Sequence, residues 1–249
     1  YPWGEALYRA VFHAVSAFNN CGFSLLRDSL TSYQGDALVN LTVIGLVLAG
    51  GIGFVVHYEL HQRLTGRRRR LSLHTRLVLV VSAVLVAGGA VLFYLFERGR
   101  LLAGLPWSSQ LLASLFQSVT PRTAGFNTVA IASLANETVL LMLGLMFVGA
   151  SPGSTGGGVK TTSAGLLFLM MRSRLKGEEE VNAFGRTIPR EVLQRTLSII
   201  LVAALSICLV VSVLLLLPAG EDRTPAEARQ RLVEYVFETM SAFGTVGLS

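Results

Sequence analysis

Three stretches of the chain repeat one arrangement of residues that could strip water from a cation. They span 12–24, 116–127 and 237–249. Each opens on a Phe (Phe12, Phe116, Phe237), with Val or Met three residues on and Ser or Thr after that. A Gly follows nine or ten residues after the Phe (Gly22, Gly125, Gly247), then Phe or Leu and a small polar residue. The third copy contains Thr245-Val246-Gly247-Leu248, three of whose residues match the T-V-G-Y-G loop of potassium filters. Rings of backbone carbonyls can replace the hydration shell of K⁺. Aiming consecutive carbonyls at one axis needs backbone angles open mainly to Gly. The residues before each Gly differ (Asn20-Cys21, Thr123-Ala124, Thr245-Val246), as expected if only their carbonyls face the ion. A ring needs symmetry, so three copies imply a fourth, expected upstream of Tyr1. The second copy is one residue shorter and carries Pro121-Arg122, so it need not mirror the others.

Composition supplies the setting. Of 249 residues, 52% are hydrophobic and 14% charged, where a soluble domain carries about 25% charge. A multi-span, all-α membrane protein is the expected class. Eleven of the 21 Lys and Arg residues sit in two short segments, 61–76 and 172–190, the signature of cytoplasmic loops rather than of nucleic-acid binding. Cys21 and Cys208 lie in unlike surroundings and predict no disulfide. The chain opens just before one motif and stops inside another, which predicts an internal portion of a longer protein.

Runs at 38–56, 77–96 and 196–217 contain no charged residue and are each long enough to span about 30 Å of hydrocarbon. A fourth apolar segment, 134–171, is nearly twice that length. Its centre holds Gly149, Ser151, Pro152, Gly153, Ser154, Thr155, Gly156, Gly157, Gly158 and Lys160, a composition no continuous helix favours. It predicts two half-helices joined by a loop at membrane depth, where such a loop must line water or be buried in protein. A flexible loop with few side-chain contacts could act as a plug or gate. Lys160 is then either an intramembrane functional charge or a side chain snorkelling to cytoplasmic water. Short amphipathic stretches at 5–18, 107–120 and 232–243 precede the motifs and suit re-entrant pore helices. With both basic segments inside, all three motifs fall on the external face. Gly45, Gly50, Gly51, Gly53, Gly88 and Gly89 would let helices approach closely.

Other candidates are weaker. The loop comes close to a phosphate-binding G-x-x-x-x-G-K-[ST] sequence, but Val159 separates Gly158 from Lys160 and no strand precedes it. His57 and His61 form at most half a metal site. Glu178, Glu179 and Glu180 read as a solvated face or a docking surface. Trp3 and Trp107 fit interfacial anchors. No nucleophile pairs with a base, so no enzyme activity is expected.

Taken together, residues 17–24, 123–126, 149–162 and 242–248 closely resemble the Trk/Ktr/HKT superfamily of potassium transporters, on its bacterial Trk–Ktr side. The resemblance covers essentially the whole chain. It implies four helix–pore helix–helix repeats around one K⁺ path, in a homodimer in the bacterial inner membrane. It also implies control by a cytoplasmic ring of nucleotide-binding regulatory subunits. No cofactor is implied, K⁺ being the cargo. By motif, Gly22, Gly125 and Gly247 become the filter glycines of the second, third and fourth repeats, and 149–162 the intramembrane gate of the third. The units then run 1–65, 66–187 and 188–249, with the first repeat absent. In the plant branch, Ser in place of the first filter Gly goes with Na⁺ transport, so a sodium-permeable member is the alternative. A secondary carrier with paired broken helices is disfavoured by a single broken span and by repeats running in one direction.

Overall fold

The structure, a computed structural model, describes residues 2–67, 70–217 and 224–249. Arg68 and Arg69 of the first basic segment lie outside the described residues. Among the described residues the chain is all-α apart from one short hairpin. The helices are α1 (Trp3–Phe18), α2 (Ala37–Gly51), α3 (Phe54–Leu64), α4 (Leu73–Glu97), α5 (Trp107–Val119), α6 (Asn136–Phe147), α7 (Thr161–Leu175), α8 (Arg190–Leu216) and α9 (Pro225–Phe243). Strands β1 (Asn182–Ala183) and β2 (Arg186–Thr187) form the hairpin between α7 and α8.

Apolar length separates two kinds of helix. Among the described residues α4 and α8, with 25 and 27 residues, are long and apolar enough to cross a membrane. Short helices α1, α5 and α9 each run straight into a glycine motif. Their N-termini show how the sequence sets them: Pro2 and Pro106 precede α1 and α5, where a missing N–H costs nothing. Helix α9 is longer than the expected 232–243. Thr224 caps it by accepting from the Glu227 amide, with Pro225 in the first turn, so the Thr-Pro-Ala-Glu sequence starts the helix seven residues early.

The run 38–56 is not the single span expected. It breaks between α2 and α3 with a bend of 101°, and Gly53 turns the chain at φ +88°. The backbone groups freed by the break are taken up by the glycine-rich loop: Gly50 and Gly51 carbonyls accept from the Thr155 and Ser151 amides, and the Phe54 amide donates to Gly153 O. A break whose polar groups are satisfied inside the protein is tolerated in a bilayer. Two apolar runs are therefore broken, not one, so a single broken span no longer counts against a carrier.

Run 134–171 breaks as expected, into α6 and α7. The start of α6 is held by Glu97 at the end of α4, whose buried carboxylate accepts from the Ala135 amide and the Thr138 hydroxyl. A carboxylate at a helix N-terminus meets unpaired N–H groups and the positive end of the helix dipole. Of the glycines expected to bring helices together, Gly89 does so: a Cβ there would lie 2.4 Å from Ser118 Oγ of α5. Gly50 meets the backbone of Phe18, while Gly45 and Gly88 have nothing within 4 Å. Trp3 and Trp107 begin their helices exposed.

Candidate functional site

Each glycine motif turns the chain back at the end of its short helix, and the three turns are built alike. Gly22, Gly125 and Gly247 have φ of +71°, +78° and +82°. Two residues earlier, Asn20, Thr123 and Thr245 also have positive φ, at +53°, +78° and +52°. Left-handed positions thus alternate with ordinary ones through every turn. Peptide planes that alternate in this way direct successive carbonyls to one side, which an extended strand cannot do. Asn, and less readily Thr, accepts the left-handed region that other residues avoid.

A hydroxyl straps each turn. Ser16 donates to Phe23 O at 2.8 Å, Ser241 to Leu248 O at 2.7 Å, and Thr120 to Phe126 O. These are the Ser or Thr four residues after the motif Phe, so one repeated residue ties the helix end to the carbonyl after the Gly. Sequence reasoning recorded this residue as part of the pattern and gave it no role. The signal that could have found it is its recurrence in all three copies.

The turns sit side by side. A Cβ on Gly22 would lie 2.5 Å from Ala124 O, and one on Gly125 would lie 2.1 Å from Val246 O. The first turn therefore packs on the carbonyl before the second Gly, and the second on the carbonyl before the third. A Cβ on Gly247 would meet nothing within 4 Å among the described residues. Asn20 and Thr123 are buried between neighbouring turns, their side chains 2.9 Å apart. With the Asn20 carbonyl turned toward Thr123, its amide reaches Val47 O and Ala17 O. Cys21 is exposed, whereas Ala124 and Val246 are buried.

The loop between α6 and α7 lies against this cluster. A parallel bridge pairs Val148 with Val159, and Ala150 N donates to Gly157 O, Thr161 N to Ala150 O. Ser151 and Thr161 hydroxyls bond at 2.8 Å, and Ser154 Oγ donates to Ser151 O. Its tip reaches outward: Gly157 N donates to Thr245 Oγ1 at 2.9 Å, and Thr155 Oγ1 to Phe18 O. A Cβ at Gly156 would lie 2.1 Å from Thr123 Oγ1. Pro152 O comes so near Gly53 that a Cβ there would lie 2.4 Å away. The expectation of few side-chain contacts is corrected, because Ser151, Ser154, Thr155, Lys160 and, from the third turn, Thr245 all make side-chain hydrogen bonds to, from or within the loop. Its backbone also bonds to itself and to α2, since buried polar groups must find partners. Half-buried, Lys160 donates from Nζ to Gly156 O at 2.7 Å and bridges its own loop.

One residue near the turns was noted in the sequence only as an irregularity. Arg122 is buried, donates from Nη2 to Ser82 Oγ, and lines a small cavity with Gly51, Ile52 and Ala150. Its Nε and Nη1 have no partner among the described residues. A cation is therefore fixed between the second turn and the loop. His57 instead bonds Ala49 O, and no group of metal-binding side chains forms among the described residues. Of the acidic run, Glu178 and Glu180 bond Ser173 and Thr187, and all three are exposed.

Comparison with known proteins covers nearly the whole chain. Residues 3–249 match the family model described as TrkH, cation transport protein. The potassium/sodium uptake protein NtpJ of Enterococcus hirae is 37% identical over 100% of this chain and 54% of its own length. Ktr system potassium uptake protein B of Bacillus subtilis is likewise 37% identical, with the same coverage of each chain. The chain thus spans about half the length of the curated relatives it matches. The crystal structure of the potassium transporter TrkH from Vibrio parahaemolyticus superposes with a TM-score of 0.70 at 19% identity, over 96% of this chain and 57% of that one.

Proposed function

The chain belongs to the TrkH family of cation transport proteins, and on that premise we propose that it forms three of the four quarters of a potassium path through the cell membrane. The observation that carries this reading is the set of three like turns, each with alternating left-handed positions and a hydroxyl strap, packed in order. The carbonyls of Asn20, Cys21 and Gly22, of Thr123, Ala124 and Gly125, and of Thr245, Val246 and Gly247 are the ion ligands. Selection comes from replacing the hydration shell with backbone oxygens at fixed field strength. The open side of Gly247 is where a fourth turn completes the ring. The units are 1–65, 66–187 and 188–249.

The loop at 149–162 is the gate. Its support is position: its tip bonds Thr245 and abuts Thr123, the left-handed residues of two turns. Opening moves it as a unit, since its internal bonds outnumber its outward ones. A homodimer and a cytoplasmic ring of nucleotide-binding subunits complete the system. The word "system" in the name of the Bacillus relative supports a partner. Sodium permeation is the second reading, because the Enterococcus relative, at the same 37% identity, is named for both ions.

The test uses the full-length protein in lipid vesicles. Gly22→Ser is expected to lower the ratio of K⁺ to Na⁺ flux, since a side chain there meets the Ala124 carbonyl. A variant that folds and keeps its ratio would sink the filter assignment. Equal fluxes of both ions through the unaltered protein would favour the sodium-permeable reading.

A further inference from the structure

Away from the turns, at the opposite ends of α4 and α8, three arginines open onto one cavity. Arg70, Arg76 and Arg186 line it with Leu71, Leu73 and Phe184. Among the described residues no acidic side chain lines it. The carboxylates at its edge are already engaged: Glu59 accepts from the Ser72 amide between Leu71 and Leu73, Glu180 from the Thr187 hydroxyl beside Arg186, and Glu178 from the Ser173 hydroxyl, and none of the three is among the lining residues. The cavity sits where α4 begins at Leu73, one residue after its cap Ser72, so the positive end of a long helix adds to the three charges.

The hairpin that supplies Arg186 and Phe184 is built rather than loose. Val181, Ala183 and Ile188 are buried against Leu73, Leu166 and Leu193, which fixes it to α4, α7 and α8. Its register pairs Ala183 with Arg186, leaving a two-residue turn at Phe184-Gly185 with φ of +51° and +78°. Such turns favour Asn, Asp or Gly at the first position, and a bulky residue held at positive φ is strained. The aromatic ring kept there is half exposed beside the arginines. Strain of this kind persists only where the surrounding structure enforces it, and such positions cluster at binding sites.

We propose that this cavity binds the phosphate headgroup of an anionic phospholipid from the leaflet facing the basic segments. Guanidinium groups match phosphate oxygens two at a time. Basic pockets between membrane helices on the cytoplasmic side are suited to anionic headgroups. Depth decides between a lipid and a dissolved phosphate: the arginines lie within a turn of the apolar spans α4 and α8, where headgroups reside, and Phe184 supplies an apolar contact at the same level.

The experiment is thermal unfolding of the full-length protein in detergent, titrated with dioleoylphosphatidylglycerol, dioleoylphosphatidylcholine or inorganic phosphate. Phosphatidylglycerol is expected to raise the midpoint, while the other two leave it unchanged. Neutralising all three arginines (R70Q, R76Q and R186Q together) should weaken apparent phosphatidylglycerol affinity about a hundredfold. Each residue accounts for about fivefold, which is what about 1 kcal/mol per basic residue near an anionic surface amounts to. The matching triple Lys variant keeps the charges and should lose less than about tenfold. In a separate measurement, the quenching that a Phe184→Trp variant gains over the unaltered protein, in which Trp3 and Trp107 already emit, should appear with brominated phosphatidylglycerol and not with brominated phosphatidylcholine. Unaltered phosphatidylglycerol affinity in the Gln variant overturns the proposal. So does stabilisation by inorganic phosphate equal to that by lipid, which would make this a site for soluble anions. Should the Gln variant fail to fold, quenching of the Phe184→Trp variant that does not distinguish the two lipids overturns it as well.

Discussion

The glycine turns and the glycine loop use the same residue in different ways. Each turn is closed by its own helix: Ser16, Thr120 or Ser241 reaches six or seven residues ahead to a carbonyl. The loop is seated partly by others, through Gly50 and Gly51 of α2, Gly53 beyond it, Phe18 and Thr245. A feature that holds itself can stay fixed while its surroundings move. One that borrows its partners can leave when they shift. That difference is what the proposed filter and gate would require of their backbones, and substitutions that separate local from borrowed support can break the comparison.

The largest effect is expected at the turns themselves. At Gly125→Ala, positive φ and a Cβ 2.1 Å from Val246 O act together. Left-handed strain and overpacking against backbone each cost about 1–3 kcal/mol. K⁺ flux through the full-length protein should fall at least about a hundredfold, the loss that about 3 kcal/mol produces. Gly247→Ala sharpens the point, because Gly247 faces open space among the described residues. If a fourth turn completes the ring, this variant should be as damaging as Gly125→Ala in vesicle flux assays. A mild phenotype would mean that nothing packs there.

Next comes the seat of the loop. Gly53→Ala places a Cβ 2.4 Å from Pro152 O at a position with φ +88°, so the loop must move away while no turn is touched. Flux should rise about tenfold or more with the K⁺ to Na⁺ ratio retained, as a shift of about 1.4 kcal/mol toward the undocked state would produce. A drop in flux with normal folding would show that the loop supports the path rather than obstructing it.

A smaller effect is expected from the straps. Ser16→Ala and Ser241→Ala each remove a hydrogen bond, for which about 1 kcal/mol is typical. Thermal midpoints should fall by a few degrees and ion selectivity should weaken, while gating by the regulator stays unchanged. Thr at either position should restore both, since Thr120 already does this work in the second turn.

Residues with local jobs were the ones the sequence made legible. Positive φ at Gly22, Gly125 and Gly247 follows from the motif, and the split of 134–171 follows from Gly and Pro density. What escaped was set by distant partners. The break at Gly51–Gly53 lies in a run without charge, where Gly50, Gly51 and Gly53 suit close helix packing as readily as a bend, and apolar periodicity cannot report that Ser151 and Thr155 capture carbonyls about a hundred residues away. The left-handed Asn20, Thr123 and Thr245 escaped for a related reason: three different side-chain environments conceal one backbone angle. The start of α9 at Pro225, in contrast, was readable from Thr224 and Glu227 and was overlooked in favour of the apolar stretch alone.

The smallest effect, and the one that bears most closely on the loop, is at Lys160. Its Nζ bonds Gly156 O within the same loop, so its support is local in a segment seated partly by neighbours. Two physical roles predict different responses to salt. As a brace, Lys160 stabilises the seated loop through one charge-assisted hydrogen bond, for which about 1.5–3 kcal/mol is an upper range. As a fixed charge, it repels cations approaching the path, an effect screened over about 8 Å at physiological ionic strength and about 3 Å at 1 M. Lys160→Met keeps the length of the side chain and removes both charge and donor. The bond seen here favours the brace, so flux should rise a few-fold by the same factor at low and at high ionic strength. A rise that shrinks as salt is added would instead assign Lys160 to the electrostatics of the path. The loop would then owe its seat to α2, Gly53 and Phe54, Phe18 and Thr245.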